Sequence, residues 1–535
     1  MRYDKIFIIA ILLRGMLSVT VREGRILTTI FLIVVGSGLS TALYLYFIVD
    51  KYSLLHYWDA VSHLVAARKL VDWGENPGFG QIGTVWMPLP HFLLLPFAII
   101  DPLFTTGFAG LAVSLPALAL TSIYLYKIVR GFGISNIVAV PAYAAFVGAL
   151  LYASNPNILY LGITSMTEAP FVLFFVAAAY YFQSWYQNTG KLRNLLLCSI
   201  FLSFATLCRY ESWFLPLFLI IVAGVSVARD KYPDTKKILV ILVSLLSLSS
   251  ITFWLAWNQY HYGDPFEFSN TEYYSASWYA QNRPFRELLF LQPMNVLSVY
   301  GITALMMYGP YLLVAAAIGY HTLRKAHIRR EKIILLFLAL PPLFTLISLL
   351  IGIGEMSLWF NSRFMILLSP LIILMTCIFL AKRYGSARKW QLAAVIGGLF
   401  IWQLAMPAFS AVITLADAKG GYSVKENLLA IETGQALKSL YDDGKIMILT
   451  GSGLEQRVMV TSGIALSNFD EIISHSTWKP SFREPWLYDK WLVITSRPGS
   501  DATDTTTYWL DRMDELESHY TTVYENEYYK IMVLR

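Results

Sequence analysis

Five ionisable side chains, Asp59, Glu168, Arg209, Glu211 and Arg363, interrupt an otherwise apolar chain, each at the mouth of a hydrophobic segment. Charged groups at the edge of hydrocarbon are costly and are usually kept where they bind or react. Counting segments places all five mouths on one membrane face. A positioned carboxylate serves as general base toward a hydroxyl, and a guanidinium presents forked donors to phosphate oxygens. Acids and arginines converging on one face suit a catalytic chamber for an anionic, membrane-embedded substrate.

Each residue also has a plain structural explanation. Asp59, in Tyr57-Trp58-Asp59-Ala60-Val61-Ser62-His63, is either a base or the cap of a helix beginning at Ala60. Glu168 follows Thr167, and an N-cap threonine with an acid in the first turn suits the helix dipole. Arg209-Tyr210-Glu211 joins two apolar helices. Residues two apart do not face each other on a helix, which disfavours an Arg209–Glu211 pair and leaves Arg209, beside Tyr210, for a lipid-linked phosphate. Arg363, in Asn361-Ser362-Arg363-Phe364, is a second phosphate ligand or a snorkelling charge. His63 and Lys69, from the same stretch as Asp59, are further binding candidates, although a lone histidine is more often packed or capping.

The elements that must position these residues are membrane helices. Of 535 residues, 56% are hydrophobic and 14% charged, against about 25% charged in soluble domains. That excludes a soluble protein with a single anchor. The net charge of +6 is spread through connectors, so it is no footprint for nucleic acid. Cys198, Cys208 and Cys377 all lie within apolar runs, without metal-binding or redox spacing.

Apolar-run length predicts about eleven spans, near 26–49, 107–129, 137–153, 168–186, 194–209, 212–228, 238–258, 299–320, 333–352, 363–381 and 390–412. Alternate connectors are basic, for example Lys127/Arg130, Lys191/Arg193 and Lys382/Arg383/Arg388/Lys389, which puts them and the N-terminus in the cytoplasm. Residues 1–25 then form a basic interfacial segment. Residues 26–415 form the membrane module, with external loops at 50–106 and 259–298. The stretch 89–104 is short and holds Pro90, Pro96 and Pro102; it reads as re-entrant or surface-lying, the alternative being a twelfth span. The second loop is rich in aromatics, Tyr260, Tyr262, Phe266, Phe268, Tyr273, Tyr274, Trp278, Tyr279 and Phe285, which anchor at headgroups or stack on sugars. Residues 416–535 read as an extracytoplasmic soluble α/β domain, with helices at Val424–Leu440 and 508–518, strands at 445–450 and 491–496, and a terminal hairpin.

In order and common face, these motifs resemble the GT-C superfamily of membrane glycosyltransferases, which includes protein O-mannosyltransferases and the enzymes that place aminoarabinose on lipid A. Asp59 stands where that family has an acid in the first external loop, and Met87-Pro88-Leu89-Pro90 stands at its Pro-rich helix start. Met166-Thr167-Glu168-Ala169-Pro170 resembles its second acidic site. Arg209-Tyr210-Glu211-Ser212-Trp213, Tyr262-Gly263-Asp264-Pro265-Phe266 and the Asn361–Phe364 stretch resemble further recurrent segments. The likeness covers roughly residues 26–415. Ala60 follows Asp59 where protein O-mannosyltransferases have a second acid, and Trp486-Leu487-Tyr488-Asp489 does not match the Trp-Trp-Asp motif of oligosaccharyltransferases.

The resemblance implies transfer of one sugar, a hexose such as mannose, from a polyprenyl- or dolichyl-phosphate donor to an extracytoplasmic glycan, lipid or protein hydroxyl. It implies no cofactor or divalent metal. Asp59 would be the base, Arg209 with Arg363 would meet the phosphate, and Glu168 would hold hydroxyls or assist Asp59. The competing classes are a transporter or flippase for lipid-linked sugars, which needs acids near the bilayer midplane, and a non-catalytic membrane scaffold.

Overall fold

The computed structural model describes residues 21–74, 77–134, 138–188, 191–229, 232–270, 285–324, 330–357, 359–384, 388–409, 412–420, 424–449, 454–471, 478–495 and 508–535. The proposed interfacial segment lies mostly outside these residues, as do Tyr273, Tyr274, Trp278 and Tyr279 of the aromatic loop. A helix stands at each predicted span. Among the described residues eight helices are long and apolar enough to cross a membrane, from Val21–Val49 to Lys389–Lys419.

The other predicted spans are the helices Ala142–Ala153, Glu168–Gln187 and Leu192–Thr206. Their shortfall has physical causes. Glu168–Gln187 runs through the centre of the bundle, with Phe171, Phe175, Phe182 and Trp185 fully buried, so its polar Tyr180, Tyr181 and Gln183 need not face lipid. Ala142–Ala153 starts late, because Val138–Ala139 pairs with Gly133–Ile134 in a short antiparallel ribbon and the helix begins only after Pro141. Just beyond its end Asn155 starts a new helix, Pro156–Leu161. The Asn155 side chain accepts from the Asn157 and Ile158 amides, and Pro156 occupies the first turn, where it loses no hydrogen bond.

The stretch 89–104 is broken into Leu89–Ala98 and Asp101–Thr106, with Pro102 opening the second piece. Ten helical residues span about 15 Å, roughly half a hydrocarbon core. Neither piece is long enough to cross. Beside them lies Trp58–Lys69, a loop helix buried along most of its length.

The C-terminal part is a small α/β domain. Its five strands, β1 (Ile446–Leu449), β2 (Phe469–Glu471), β3 (Trp491–Thr495), β4 (Tyr520–Glu525) and β5 (Tyr529–Leu534), form one sheet in the order β2-β1-β3-β5-β4. The first three neighbours are parallel, whereas β5 runs antiparallel to both β3 and β4. The helix Leu454–Ser462 and strand β2 are additions to the sequence reading; both are short. The predicted helix at 508–518 is interrupted, with its regular part at Met513–His519.

This domain shares a core with the first loop. Leu55, Val61, Leu64, Val65 and Phe104 form one apolar cluster with Ala430, Leu437, Ile446, Val458 and Ile531. Each fully buried aliphatic side chain in such a cluster contributes about 1.5–3 kcal/mol. Polar contacts reinforce the seam. Asp72 accepts from the Leu466 and Ser467 amides, each at 3.0 Å, and Arg457 donates to the His56 carbonyl at 3.3 Å. The helix that carries Asp59 is thus clamped between the membrane bundle and the C-terminal domain.

Candidate active site

The five charges singled out above meet. They form a row of alternating sign, Asp59–Arg363–Glu168–Arg209–Glu211, drawn from four separate segments. Arg363 donates through Nη2 to Asp59 Oδ2, and its Nε lies 3.1 Å from Glu168 Oε1. Arg209 Nη1 donates to the same Glu168 oxygen at 2.8 Å. On its other edge Arg209 donates from Nη2 and Nε to Glu211 Oε1, at 2.8 and 3.1 Å.

Local backbone explains why each side chain points inward. The loop helix begins at Trp58, after Tyr57, so Asp59 lies within its first turn and is not its cap. Its carboxylate turns away to Arg363. Thr167 makes no capping bond to the helix it precedes; its hydroxyl accepts from Arg209 Nη1 at 3.0 Å. The capping roles of Asp59 and Thr167 therefore do not hold, although Glu168 does stand in the first turn of its helix. Arg363 follows Asn361, which adopts a left-handed conformation (φ 55°, ψ 19°) at the start of the 3-10 turn Ser362–Leu368. The Asn361 side chain donates from Nδ2 to the Glu355 carbonyl at 3.0 Å, which ties down the turn.

One expectation is corrected. Arg209 and Glu211 do pair, through the Nε–Nη2 edge of the guanidinium. The helical spacing rule does not apply, because Arg209 is extended (φ −158°, ψ 147°) ahead of the 3-10 turn Tyr210–Ser212. Tyr210 points elsewhere, donating to the Val85 carbonyl at 3.0 Å and stacking on Phe268 with ring centres 4.9 Å apart. It thereby ties the first loop to the start of the aromatic loop.

The two arginines differ in what remains open. Arg209 is committed on both edges and lies 4.8 Å from the Phe364 ring centre. Arg363 lies 5.5 Å from the rings of Phe364 and Tyr57, and its Nη1 hydrogen-bonds no group among the described residues. Exposure separates the acids as well. The Asp59 side chain is 26% exposed, whereas that of Glu168 is 1% exposed. Glu168 Oε2 is buried without a hydrogen-bond partner among the described residues.

His63 and Lys69 stand outside the row. His63 lies one turn beyond Asp59, with Nδ1 3.0 Å from His91 Nε2 and its ring 4.4 Å from that of Trp86. Burial, then His91 and the two arginines, hold His63 well below the usual imidazole range, so it sits neutral at pH 7. Lys69 is not brought to the row. Ten helical residues, about 15 Å, separate it from Asp59, and its ammonium lies 3.8 Å from the Trp73 ring centre.

Sequence reasoning missed Asp417 and Tyr57. Asp417, in the helix Ile413–Gly420, accepts from the Tyr57 hydroxyl and the Ser362 hydroxyl, each at 3.3 Å. Its separation from both partners left no local signal, although an acid directly after the last apolar run was visible. Among the described residues no three His, Cys, Asp or Glu side chains are grouped to hold a metal ion.

Residues 91–257 match the protein family described as dolichyl-phosphate-mannose-protein mannosyltransferase. No curated protein sequence matches the chain. Among solved structures, the chain is similar to ArnT from Cupriavidus metallidurans in the apo state, with a TM-score of 0.52 and 11% identity over 88% of this chain and 92% of that one. It is similar also to the same protein bound to undecaprenyl phosphate, with a TM-score of 0.52 and 10% identity over 93% and 97% of the two chains. An oligosaccharyltransferase from Archaeoglobus fulgidus aligns with a TM-score of 0.48 and 12% identity over 87% and 69%.

Proposed function

We propose that this chain, whose fold and family match are those of GT-C superfamily membrane glycosyltransferases, moves one sugar from a polyprenyl- or dolichyl-phosphate donor to an acceptor hydroxyl outside the cytoplasm. The observation that carries this reading is the alternating row Asp59–Arg363–Glu168–Arg209–Glu211, assembled where apolar helices end. The description of the matched family names dolichyl-phosphate-mannose, and the similar ArnT structure holds undecaprenyl phosphate. Both support a monophosphate lipid donor, with mannose the first sugar to test.

In this reading Asp59, the more open acid, takes the proton from the acceptor hydroxyl as that oxygen attacks the anomeric carbon. The bond from that carbon to the phosphate oxygen breaks, and the phosphate leaves with the electron pair on the opposite face. The anomeric configuration inverts. Phosphate is a stable anion, so its departure needs no acid. Arg363, through its open Nη1, meets the growing charge on the phosphate. Arg209 holds Glu168 and Glu211 in register, and Glu168 serves as the buried counter-charge that keeps the two guanidiniums side by side.

Purified protein in vesicles, supplied with radiolabelled dolichyl- or polyprenyl-phosphate mannose and the host's envelope fraction, should move label into a non-lipid-donor product. Asp59→Asn should express normally and lower transfer by about 100-fold or more. Transfer undiminished in Asp59→Asn would remove the base from this account. No transfer from any lipid-phosphate sugar tried would sink the reading as a whole.

A further inference from the structure

We infer that Asp417 is a positioning residue for the Asp59–Arg363 pair, bracketing the two backbone segments that carry it; the inference rests on the glycosyl-transfer reading above. Tyr57 lies two residues before Asp59, and Ser362 lies immediately before Arg363. Both hydroxyls donate to one oxygen, Asp417 Oδ2, at 3.3 Å each. A single buried carboxylate therefore joins segments that are otherwise far apart in the chain. The Tyr57 ring, whose hydroxyl forms one arm, also packs 5.5 Å from the Arg363 guanidinium.

The bracket has a fixed mount. In the helix Ile413–Gly420, Thr414 donates from its amide to Asn157 Oδ1 and from its hydroxyl to the Asn157 carbonyl, both at 3.1 Å. Asn157 belongs to Pro156–Leu161, and Asn155 at the cap of that helix donates to the Met307 carbonyl at 2.8 Å. Asp417 is thus anchored to the membrane bundle independently of the two segments it holds. In sequence its helix precedes the C-terminal domain, which packs on the same loop helix.

Asp417 acts only as acceptor in these contacts, so the inference separates hydrogen bonding from charge. An asparagine carbonyl can accept from both hydroxyls; an alanine can accept from neither. A shift of about 1 Å in a reacting group can slow a reaction about 100-fold. The test uses the full-length protein in vesicles, with labelled lipid-phosphate mannose varied from below its KM to saturation.

Asp417→Ala should lower kcat by about 10- to 100-fold, more than it raises the donor KM, with its thermal midpoint in detergent near wild type. Asp417→Asn should recover activity to within about threefold of wild type. Tyr57→Phe and Ser362→Ala should each lower kcat less than Asp417→Ala, and combining either with Asp417→Ala should add little, since all three act as one unit. If Asp417→Ala does not accumulate as folded protein, the two single-arm variants carry the test, and wild-type kcat in both overturns the bracket. Asp417→Asn as impaired as Asp417→Ala also overturns it, as does an Asp417→Ala enzyme at full kcat. A wild-type protein without transfer activity would instead refute the underlying reaction, so the two failures are distinguishable.

Discussion

The carboxylate of Asp59 and the guanidinium of Arg363, 304 residues apart in the chain, share an ion pair at the end of the loop helix. A base held by an arginine and an arginine offered to a phosphate are two uses of one contact. Removing either partner strands the other charge in a half-buried site, so the single substitutions should not add. Arg363→Gln should lower kcat as well as raise the donor KM, because the guanidinium both binds the phosphate and meets its growing charge, and Asp59→Asn should mainly lower kcat. The double mutant should fall short of the summed loss by a coupling of about 0.5–3 kcal/mol. Strictly additive losses in kcat/KM would mean that the pair does not act together during transfer.

Glu168 permits a second prediction. Its Oε1 takes Arg209 at 2.8 Å and lies 3.1 Å from Arg363. Deleting it leaves two buried guanidiniums side by side with one counter-charge fewer. Removing one member of a buried ion pair costs about 3–5 kcal/mol. Glu168→Ala should therefore lower the thermal midpoint in detergent far more than Asp59→Ala, whose side chain is the more open. Equal midpoints for the two variants would show that Glu168 is not the keystone of the row. Glu168→Gln, which retains an acceptor for Arg209, should lie between them.

The charged row was legible because each member breaks an apolar run, and in a membrane such breaks are too costly to be casual. The spans were legible for the same reason, length of apolar sequence. What escaped shows the limits of local rules. Helical spacing disfavours an Arg209–Glu211 pair, yet Arg209 is extended and the rule does not apply. Asp417 stands in the sequence as a single acid just after the last apolar run until the fold brings Tyr57 and Ser362 against it. Lys69 shares a helix with Asp59, but sequence proximity translates into distance along the axis. Strand β2 is three residues long, too short to alternate, and its pairing with β1 is entirely a matter of tertiary structure.

Asn361 offers a test of how the turn before Arg363 is held. A non-glycine residue at φ 55° is uncommon, and asparagine tolerates it better than most. Glycine adopts this conformation without strain but loses the 3.0 Å bond to the Glu355 carbonyl, worth about 1 kcal/mol. A β-branched residue loses the same bond and adds strain of about 1–3 kcal/mol. Asn361→Gly should thus be mildly destabilised and keep measurable transfer. Asn361→Val should be worse in both thermal midpoint and donor KM. Indistinguishable Gly and Val variants would show that the left-handed turn does not place Arg363.

The seam between the loop helix and the C-terminal domain makes a prediction about pH. Asp72 accepts from Arg68 Nε at 2.9 Å and from the Leu466 and Ser467 amides at 3.0 Å. Burial alone would raise its carboxyl. The bonds from Arg68, Ser467 and Leu466 outweigh burial and hold it below the ordinary carboxylate range. With a depressed value in the docked state, the undocked chain binds the proton more readily, so the contact weakens as acid is added. Its stabilisation is complete above the ordinary aspartate value of about 4 and is lost as pH falls through the lower, docked value. Between pH 5 and 8 the contribution should be flat. Asp72→Asn should lower the thermal midpoint at pH 7 by an amount corresponding to about 1–3 kcal/mol, and its deficit should shrink below pH 4. Since the same helix carries Asp59, transfer should weaken with the seam, and Asp72→Asn should lower kcat at pH 7 without changing the donor KM. A variant that matches wild type in midpoint and kcat at both pH values would show that the C-terminal domain does not brace the loop helix through Asp72.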